Sequence, residues 1–336
     1  MTEENVCGKR IAILGATSHI AMGVIHQFCG SNDLELYLFA RSSEKLHAWL
    51  HSSGCAGKKT ITVLPFDDFL KHRYDTVINC VGVGSPGKLA QDPLCVFHLT
   101  EQFDELVLGY LKQEASSLYL SLSSGAAYGT DFSEPASEDT PARFHANGIS
   151  PSEYYGIAKL HCEAKHRALK DLNIVDLRVF GYFSRFIDLG ERYLLSELMS
   201  CLKSGEEFVT GPQDIVRDFV HPEDLAALVR CLMTEGRIND VLDVYSTSPA
   251  GKFEILEHFA ASGALKYRVD GGYAALNTTG AKNNYFSLNR RAERVGYRPR
   301  YSSLECIIKE TEAIVSAQLC ELGAGACDAP CRTDGP

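Results

Sequence analysis

Short, continuously apolar runs recur along the chain, and segments with helical spacing lie between them. Ile11-Ala12-Ile13-Leu14 is hydrophobic at every position rather than at alternate ones, the pattern of a strand buried on both faces of a parallel sheet. Similar runs near 34–39, 60–64, 75–80, 117–122 and 174–179 predict further strands. Ile20 to Phe28, Gln91 to Lys112, Ser152 to Leu172 and Leu225 to Met233 predict helices, the last opened by Asp224 as a cap. Strands and helices alternating in this way argue an α/β fold with a doubly wound parallel sheet. No internal repeat or low-complexity block interrupts the alternation.

Composition narrows this picture without changing it. A chain of 336 residues can bury one large core and a smaller lobe. The formal net charge of −10 argues against nucleic acid or an acidic membrane surface as a partner, so an anionic ligand must be held by local donors against the overall field. No stretch approaches the roughly 18 unbroken apolar residues of a membrane-spanning helix, and Met1 to Cys7 is short and acidic, unlike a secretory leader. The 12 cysteines include no Cys-x2-Cys pair. Cys29, Cys80, Cys162, Cys201 and Cys231 fall in apolar patterns, where a thiol behaves as a small hydrophobe. Cys320, Cys327 and Cys331 sit in a Gly-, Ala- and Pro-containing tail expected to be frayed. No metal site is expected, and a reducing cytoplasm is the expected compartment.

Candidate chemistry lies at two places. After the first strand, Gly15-Ala16-Thr17-Ser18-His19-Ile20-Ala21 forms a short polar turn into a helix, and such a junction binds a dinucleotide pyrophosphate through its backbone N–H groups. Gly15 is present, while Ser18 and Ala21 stand where glycines are commoner; both are small enough for close approach and helix–strand packing. The next strand ends in Ala40-Arg41-Ser42, with no acid to take a ribose 2′-hydroxyl. A guanidinium beside a hydroxyl suits a 2′-phosphate, so this end favours NADP(H) over NAD(H). A charge-assisted contact of about 1.5–3 kcal/mol would give roughly tenfold to hundredfold preference.

The second place is Tyr155-Gly156-Ile157-Ala158-Lys159, downstream of the serine-rich strand end Leu120-Ser121-Leu122-Ser123-Ser124. Positions i and i+4 share one helix face, and an ammonium near a phenol favours the phenolate. Such a phenol can serve as acid or base near neutral pH. Tyr154 is one residue off that spacing and is expected to pack or line the pocket.

Taken in order, these segments resemble an extended short-chain dehydrogenase/reductase of the NAD-dependent epimerase/dehydratase family, whose members mostly act on nucleotide sugars. The resemblance runs from about Lys9 to about Ile314. It includes Asp75 to Gly82 as the fourth strand, Ser123 to Gly129 as the strand-five motif, Leu177 to Phe180 at strand six, and Val216 to Asp224 as a substrate-side signature. It implies Ser124, Tyr155 and Lys159 as the catalytic set. Ser124 would bond the reacting oxygen, Tyr155 would pass the proton, and Lys159 would hold the nicotinamide ribose and lower the tyrosine pKa. Ser123 competes with Ser124, which fits better by its distance from Tyr128-Gly129. Cofactor contacts are implied at Gly15, Thr17, Ser18, His19, Ile20, Arg41, Ser42, Cys80, Val81, Gly82 and Phe180. Asp67 is an adenine candidate, with Asp68 competing. Arg217 resembles the arginine that grips a nucleotide-sugar diphosphate, a fork of donors facing two phosphates.

Further expectations follow from the resemblance. A dinucleotide-binding Rossmann domain would take 1–181 plus 219–245, a substrate lobe 182–218 plus 246–319, and a flexible tail 320–336. The final helix would run near Ser302 to Leu319. The long helices after strands four and five would pair across a homodimer, and the loop Thr130 to Ser150 would border the substrate mouth. The chain also departs from the family. Gly181, Ser184 and Arg185 stand where an Asn and a Gly-Pro are usual, so that substrate contact would come from Tyr182, Ser184 or Arg185. Gly125 and Ala126 replace the acidic pair of sugar 4,6-dehydratases, which disfavours dehydration. An NADPH-dependent reduction of a keto group, at C4, on a nucleotide sugar is the first expectation and an NAD-dependent 4-epimerase the second. A non-catalytic redox sensor is the third, disfavoured by the intact Ser124, Tyr155 and Lys159.

Overall fold

The computed structural model describes residues 8–83, 92–191, 193–272 and 283–325, with side chains to residue 316. Seven parallel strands form its central sheet. They are β1 (Lys9–Leu14), β2 (Leu34–Phe39), β3 (Ile61–Leu64), β4 (Thr76–Asn79), β5 (Leu118–Ser124), β6 (Ile174–Val179) and β9 (Asn239–Val244). The order β3-β2-β1-β4-β5-β6-β9 places β1 between β2 and β4, with Ile11 opposite both Leu36 and Thr76. Winding reverses at β1, which opens a crevice at the carboxyl ends of β1 and β4. The doubly wound fold read from the alternation is therefore present.

Alternation along β1 explains why both faces need cover. Ile11 and Ile13 enter one apolar cluster with Val24, Ile25, Leu36, Leu120, Leu177 and Leu228, beneath α1 (His19–Phe28) and α6 (Pro222–Thr234). Ala12 and Leu14 enter the other, with Phe39, Phe69, Val107, Leu111 and Tyr119, on the side of α3 (Cys95–Leu111). α2 (Ser43–Ser52) follows β2, and α4 (Pro151–Ala168) packs beside α3.

Three element ends differ from the sequence expectation, two of them for a visible reason. α4 stops at Ala168 rather than near Leu172, because Asn239 Nδ2 collects the carbonyls of His166, Leu169 and Leu172 and so satisfies acceptors a helix end leaves open. Asp224 does not cap its own helix: α6 starts at Pro222, with His221 Nδ1 accepting from Glu223 N at 3.1 Å. Asp224 instead accepts from the backbone of Arg300 (2.9 Å) and Tyr301 (3.1 Å), tying the closing segment to the sheet domain. α8 (Ser303–Gly325) continues past Leu319, while Cys327 and Cys331 lie outside the described residues.

Elements outside the central sheet form a third apolar cluster around Phe183, Leu195, Leu198, Phe208, Ile255, Leu256, Phe259 and Ile307. It includes α5 (Leu194–Ser204), β7 (Phe208–Thr210), α7 (Lys252–Ala261) and β11 (Tyr267–Val269). Beside it lies a small sheet of β10 (Ala250–Gly251), β8 (Val216–Arg217) and β12 (Asn284–Tyr285), in the order β10-β8-β12. Among the described residues, no helix is long and apolar enough to cross a membrane.

Candidate active site

The crevice begins with the turn after β1. Gly15 adopts φ 74°, and a Cβ there would stand 3.0 Å from the carbonyl of Cys80 and the nitrogen of Val81. Only glycine tolerates that conformation and approach together. Ala16 N donates to Phe39 O at 3.0 Å, so the turn is also bound to β2. Ser18 caps α1, its Oγ accepting from Ala21 N at 3.4 Å. Thr17 is exposed, Ile20 packs on the core, and the first N–H groups of α1 form an anion-binding end. The His19 side chain turns elsewhere. Its ring meets Tyr182 edge-on with centroids 5.0 Å apart, its Nε2 lies 3.4 Å from Ser184 O, and burial pushes its pKa down to about 4.

Arg41 is exposed immediately beyond β2. Ser42 next to it caps α2, accepting from Lys45 N at 3.2 Å and donating to Glu44 at 3.0 Å. Asp67 is exposed in a 3-10 turn, Phe66–Lys71, whereas Asp68 is paired with Lys71. Cys80 opens the strip that follows β4, and burial pushes its thiol pKa up to about 12, so it is not poised as a nucleophile.

The candidate catalytic groups gather at the end of β5. Successive strand residues point to opposite faces, and this separates the two candidate serines. Ser123 Oγ donates to Glu163 of α4 at 2.5 Å, and Arg178 grips the same carboxylate. Ser124 Oγ lies 3.0 Å from the Tyr285 hydroxyl and accepts from Ala126 N at 3.2 Å. Ser123 is thus a fastener between β5 and α4, while Ser124 faces the crevice.

α4 delivers Tyr155 and Lys159. Its start is anchored by Glu153, whose carboxylate accepts from Ser150 N (2.8 Å) and His145 N (2.9 Å) and is held at about 2 by those bonds. Gly156 lets the helix touch the turn after β5: a Cβ there would lie 2.2 Å from Ala126 O. The Lys159 ammonium is 5.7 Å from the Tyr155 ring centroid and donates to Leu122 O at 2.7 Å. A Cβ on Gly82 would come within 3.9 Å of the same nitrogen, so the strip after β4 passes beside it. Tyr154 turns towards α3, its ring 5.7 Å from Phe97.

The opposite wall comes from distant segments. Arg217 of β8 is half-buried and donates to its own residue neighbour Val216 O at 2.9 Å and to Asn283 O at 3.5 Å. Its guanidinium lies 5.9 Å from the Tyr285 ring centroid, and burial pushes its pKa down to about 10, still charged at neutral pH. Among the described residues it has no carboxylate partner. Tyr285 packs with Tyr128, Phe132 and Phe180. Phe180 itself covers Gly125, where a Cβ would meet its ring at 2.4 Å. The loop 130–150 is pinned to this cluster: Ala136 N donates to Phe286 O at 3.0 Å and Asn284 N to Phe132 O at 2.9 Å.

Tyr182 is not brought to this group. Its side chain runs into the core against α1, where a Cβ on Gly23 would collide with its hydroxyl. Arg185 is likewise committed, to Glu310 of α8 through Nε (3.0 Å), Nη2 (2.7 Å) and its backbone nitrogen (2.7 Å). Although burial works against the charge, His221 and Arg185 hold the Glu310 carboxyl at about 2. Sequence reasoning missed Tyr285 as a site residue. Its partner Ser124 is 161 positions away, and no local spacing could signal that pairing.

A parallel sheet with a glycine-turned helix end on one side and a Ser–Tyr–Lys group on the other defines a nicotinamide-dinucleotide enzyme of the extended short-chain type. The chain belongs to the NAD dependent epimerase/dehydratase family, whose model matches residues 11–245. Solved structures share the fold at low identity. A UDP-N-acetylglucosamine 4-epimerase from Methanobrevibacter ruminantium M1, in complex with UDP-N-acetylmuramic acid, has TM-score 0.72 and 17% identity, over 92% of this chain and 99% of that one. A UDP-glucose-4-epimerase from Stenotrophomonas maltophila, with bound NAD and formylated UDP-arabinopyranose, has TM-score 0.77 and 16% identity, over 93% and 99%. A UDP-glucuronic acid 4-epimerase from Bacillus cereus, in complex with UDP-glucuronic acid and NAD, has TM-score 0.73 and 14% identity, over 91% and 99%. No curated protein matches the chain.

Proposed function

We propose that the protein interconverts an alcohol and a ketone at one ring carbon, C4, of a nucleotide-activated sugar. Arg217 carries this reading: a half-buried guanidinium with no acid partner among the described residues, next to the Ser124–Tyr285 pair, matches a diphosphate that bridges nucleotide and sugar. Gly15, the α1 amino end and the narrow strip Cys80 to Gly82 fit a dinucleotide, since Gly15 lets the turn lie against the Cys80–Val81 backbone and leaves the first N–H groups of α1 open to a pyrophosphate. When bound, that dinucleotide supplies the hydride acceptor and donor. The Ser124 hydroxyl donates to the reacting sugar oxygen, Tyr155 takes or returns its proton at the phenol oxygen, and Lys159 holds ribose hydroxyls beside Gly82.

Two forms of this chemistry compete. Oxidation and re-reduction of the same carbon with retained NAD is a 4-epimerase, and the UDP-sugar 4-epimerases of like fold favour it. Reduction of a 4-keto sugar with exchangeable NADPH rests on Arg41, exposed at the end of β2 where no acid stands. Glu44 nearby weighs against a 2′-phosphate, since its carboxylate is ionised and held by Ser42. The deciding experiment identifies the dinucleotide in the supernatant of the denatured protein and titrates the protein with NADPH and NADH. Retained NAD with UDP-sugar epimerisation supports the first form. A preference for exchangeable NADPH that Arg41→Asp lowers by about tenfold or more supports the second, and binding of neither dinucleotide refutes both.

A further inference from the structure

Away from the crevice, His26 of α1, Cys29 just after it and Cys55 beyond α2 bring their potential ligand atoms within 4.8 Å of one another. Cys55 Sγ is 3.9 Å from His26 Nδ1. The placement is fixed by the fold. Cys55 is fully buried, with Cys55 N and Ala56 N both donating to Leu50 O at 2.9 Å at the end of α2. His26 and Cys29 are half-buried, which leaves a path from solvent. Phe186 covers the imidazole edge-on at 5.3 Å and meets Trp49 at 5.2 Å, so the cluster is roofed by an apolar lid.

We propose that His26, Cys29 and Cys55 form a binding site for a thiolate-preferring divalent cation of the zinc class, clamping the end of α1 to the turn after α2. Two thiolates and an imidazole are the donor set such ions select. A tetrahedral zinc ion with Zn–S near 2.3 Å and Zn–N near 2.0 Å places its ligands about 3.5–3.8 Å apart. The present separations, 3.9 Å between Cys55 Sγ and His26 Nδ1 and no more than 4.8 Å within the group, are close to those values. On binding, each thiol loses its proton to solvent as an S–metal bond forms, and the two thiolate charges offset the dication. That balance matters because the positive side chains nearby, Lys58 beside Cys29 and Arg185 beside His26, would oppose an uncompensated cation. The fourth position is left to water or a small anion. Cys-x2-Cys spacing could not reveal this site, because Cys29 and Cys55 come from different helix ends.

The contrasting cluster is Glu101, His161 and Cys162. There Glu101 already receives the Lys165 ammonium at 3.0 Å, so a cation would have to displace a salt bridge. The test uses the full chain, freed of metal by a chelator and kept reduced with a phosphine. Titration with Cd2+, followed by thiolate-to-metal absorption, should show one tight equivalent. Outer contacts of metal sites are typically worth 10–100-fold in affinity, so losing a ligand in Cys29→Ser or His26→Ala should weaken that equivalent at least tenfold. Unchanged titration in both variants overturns the proposal. Cys55→Ser is avoided because its thiol is packed in the core. Alkylation mapped by mass spectrometry tests the unaltered chain: Zn2+ should slow Cys29 by about tenfold and leave Cys201 unaffected, and equal protection of both overturns the proposal.

Discussion

The wall that carries Ser124, Tyr155 and Lys159 is assembled from the end of β5 and from α4, and the polar groups that support it are fastened. Lys159 is held by Leu122 O, Ser123 by Glu163 and Glu163 by Arg178. The facing wall is gathered from β8, β12 and the loop 130–150, and its central cation, Arg217, has only backbone carbonyls. Arg178 and Arg185, also partly buried, each meet a carboxylate, whereas Arg290, like Arg217, meets backbone carbonyls and an aromatic ring. Burying a charge without a counter-charge is costly, and the proposed anionic ligand at Arg217 would supply that counter-charge. On the proposed reading, one wall holds groups still and the other receives an anion.

The strongest way to break this division is Tyr155→Phe. If proton transfer belongs to the fastened wall, kcat falls about 10²–10⁴-fold, while NAD(P)H affinity measured by fluorescence titration stays nearly unchanged. Retained turnover would move the chemistry elsewhere. Gly156→Ala tests the fastening itself, because the new Cβ meets Ala126 O and must push α4 from the turn after β5. A displacement near 1 Å can cost about a hundredfold in rate, so kcat should drop by that order with little change in KM for the nucleotide sugar. Equal loss in KM would show that the two walls are not separable.

Arg217→Ala addresses the receiving wall. Loss of a charge-assisted contact of about 1.5–3 kcal/mol predicts roughly a tenfold to hundredfold fall in kcat/KM on a UDP-sugar. A simple alcohol without phosphates should be unaffected. Unchanged kinetics on the UDP-sugar would leave Arg217 without its proposed role.

The same division marks what the sequence could disclose. Apolar runs revealed the sheet because strands buried on both faces leave no alternation to misread. The Tyr155–Lys159 proximity and the Gly15 turn were legible because their placement depends on spacing within one helix or one turn. Ser123 and Ser124 could be told apart with certainty only by their partners, Glu163 and Tyr285, which lie 40 and 161 positions away. Tyr182 misled for a related reason. It follows strand six where a substrate contact is usual, but Gly23 leaves a hole in α1 that the tyrosine fills. The end of α4 was misplaced because it is set by Asn239, in a strand from a later segment.

Tyr285 is where the walls touch, and the smallest predicted effect falls there. Its hydroxyl meets Ser124 Oγ at 3.0 Å, and its ring lies under the Arg217 guanidinium. Tyr285→Phe keeps the ring and removes the hydroxyl. A net hydrogen bond is worth about 0.5–1.5 kcal/mol, so kcat should fall about twofold to tenfold. KM should hold, because Arg217 keeps its aromatic floor. Tyr285→Leu removes that floor as well, and an exposed or weakly desolvated cation–π contact of about 0.5–1 kcal/mol adds a twofold to fivefold rise in KM. If the two walls act separately, the KM effect of Tyr285→Leu disappears in an Arg217→Ala background and the kcat effect of Tyr285→Phe persists there. Persistence of both, or loss of both, would mean that Tyr285 couples anion binding to proton transfer and that the crevice works as one unit.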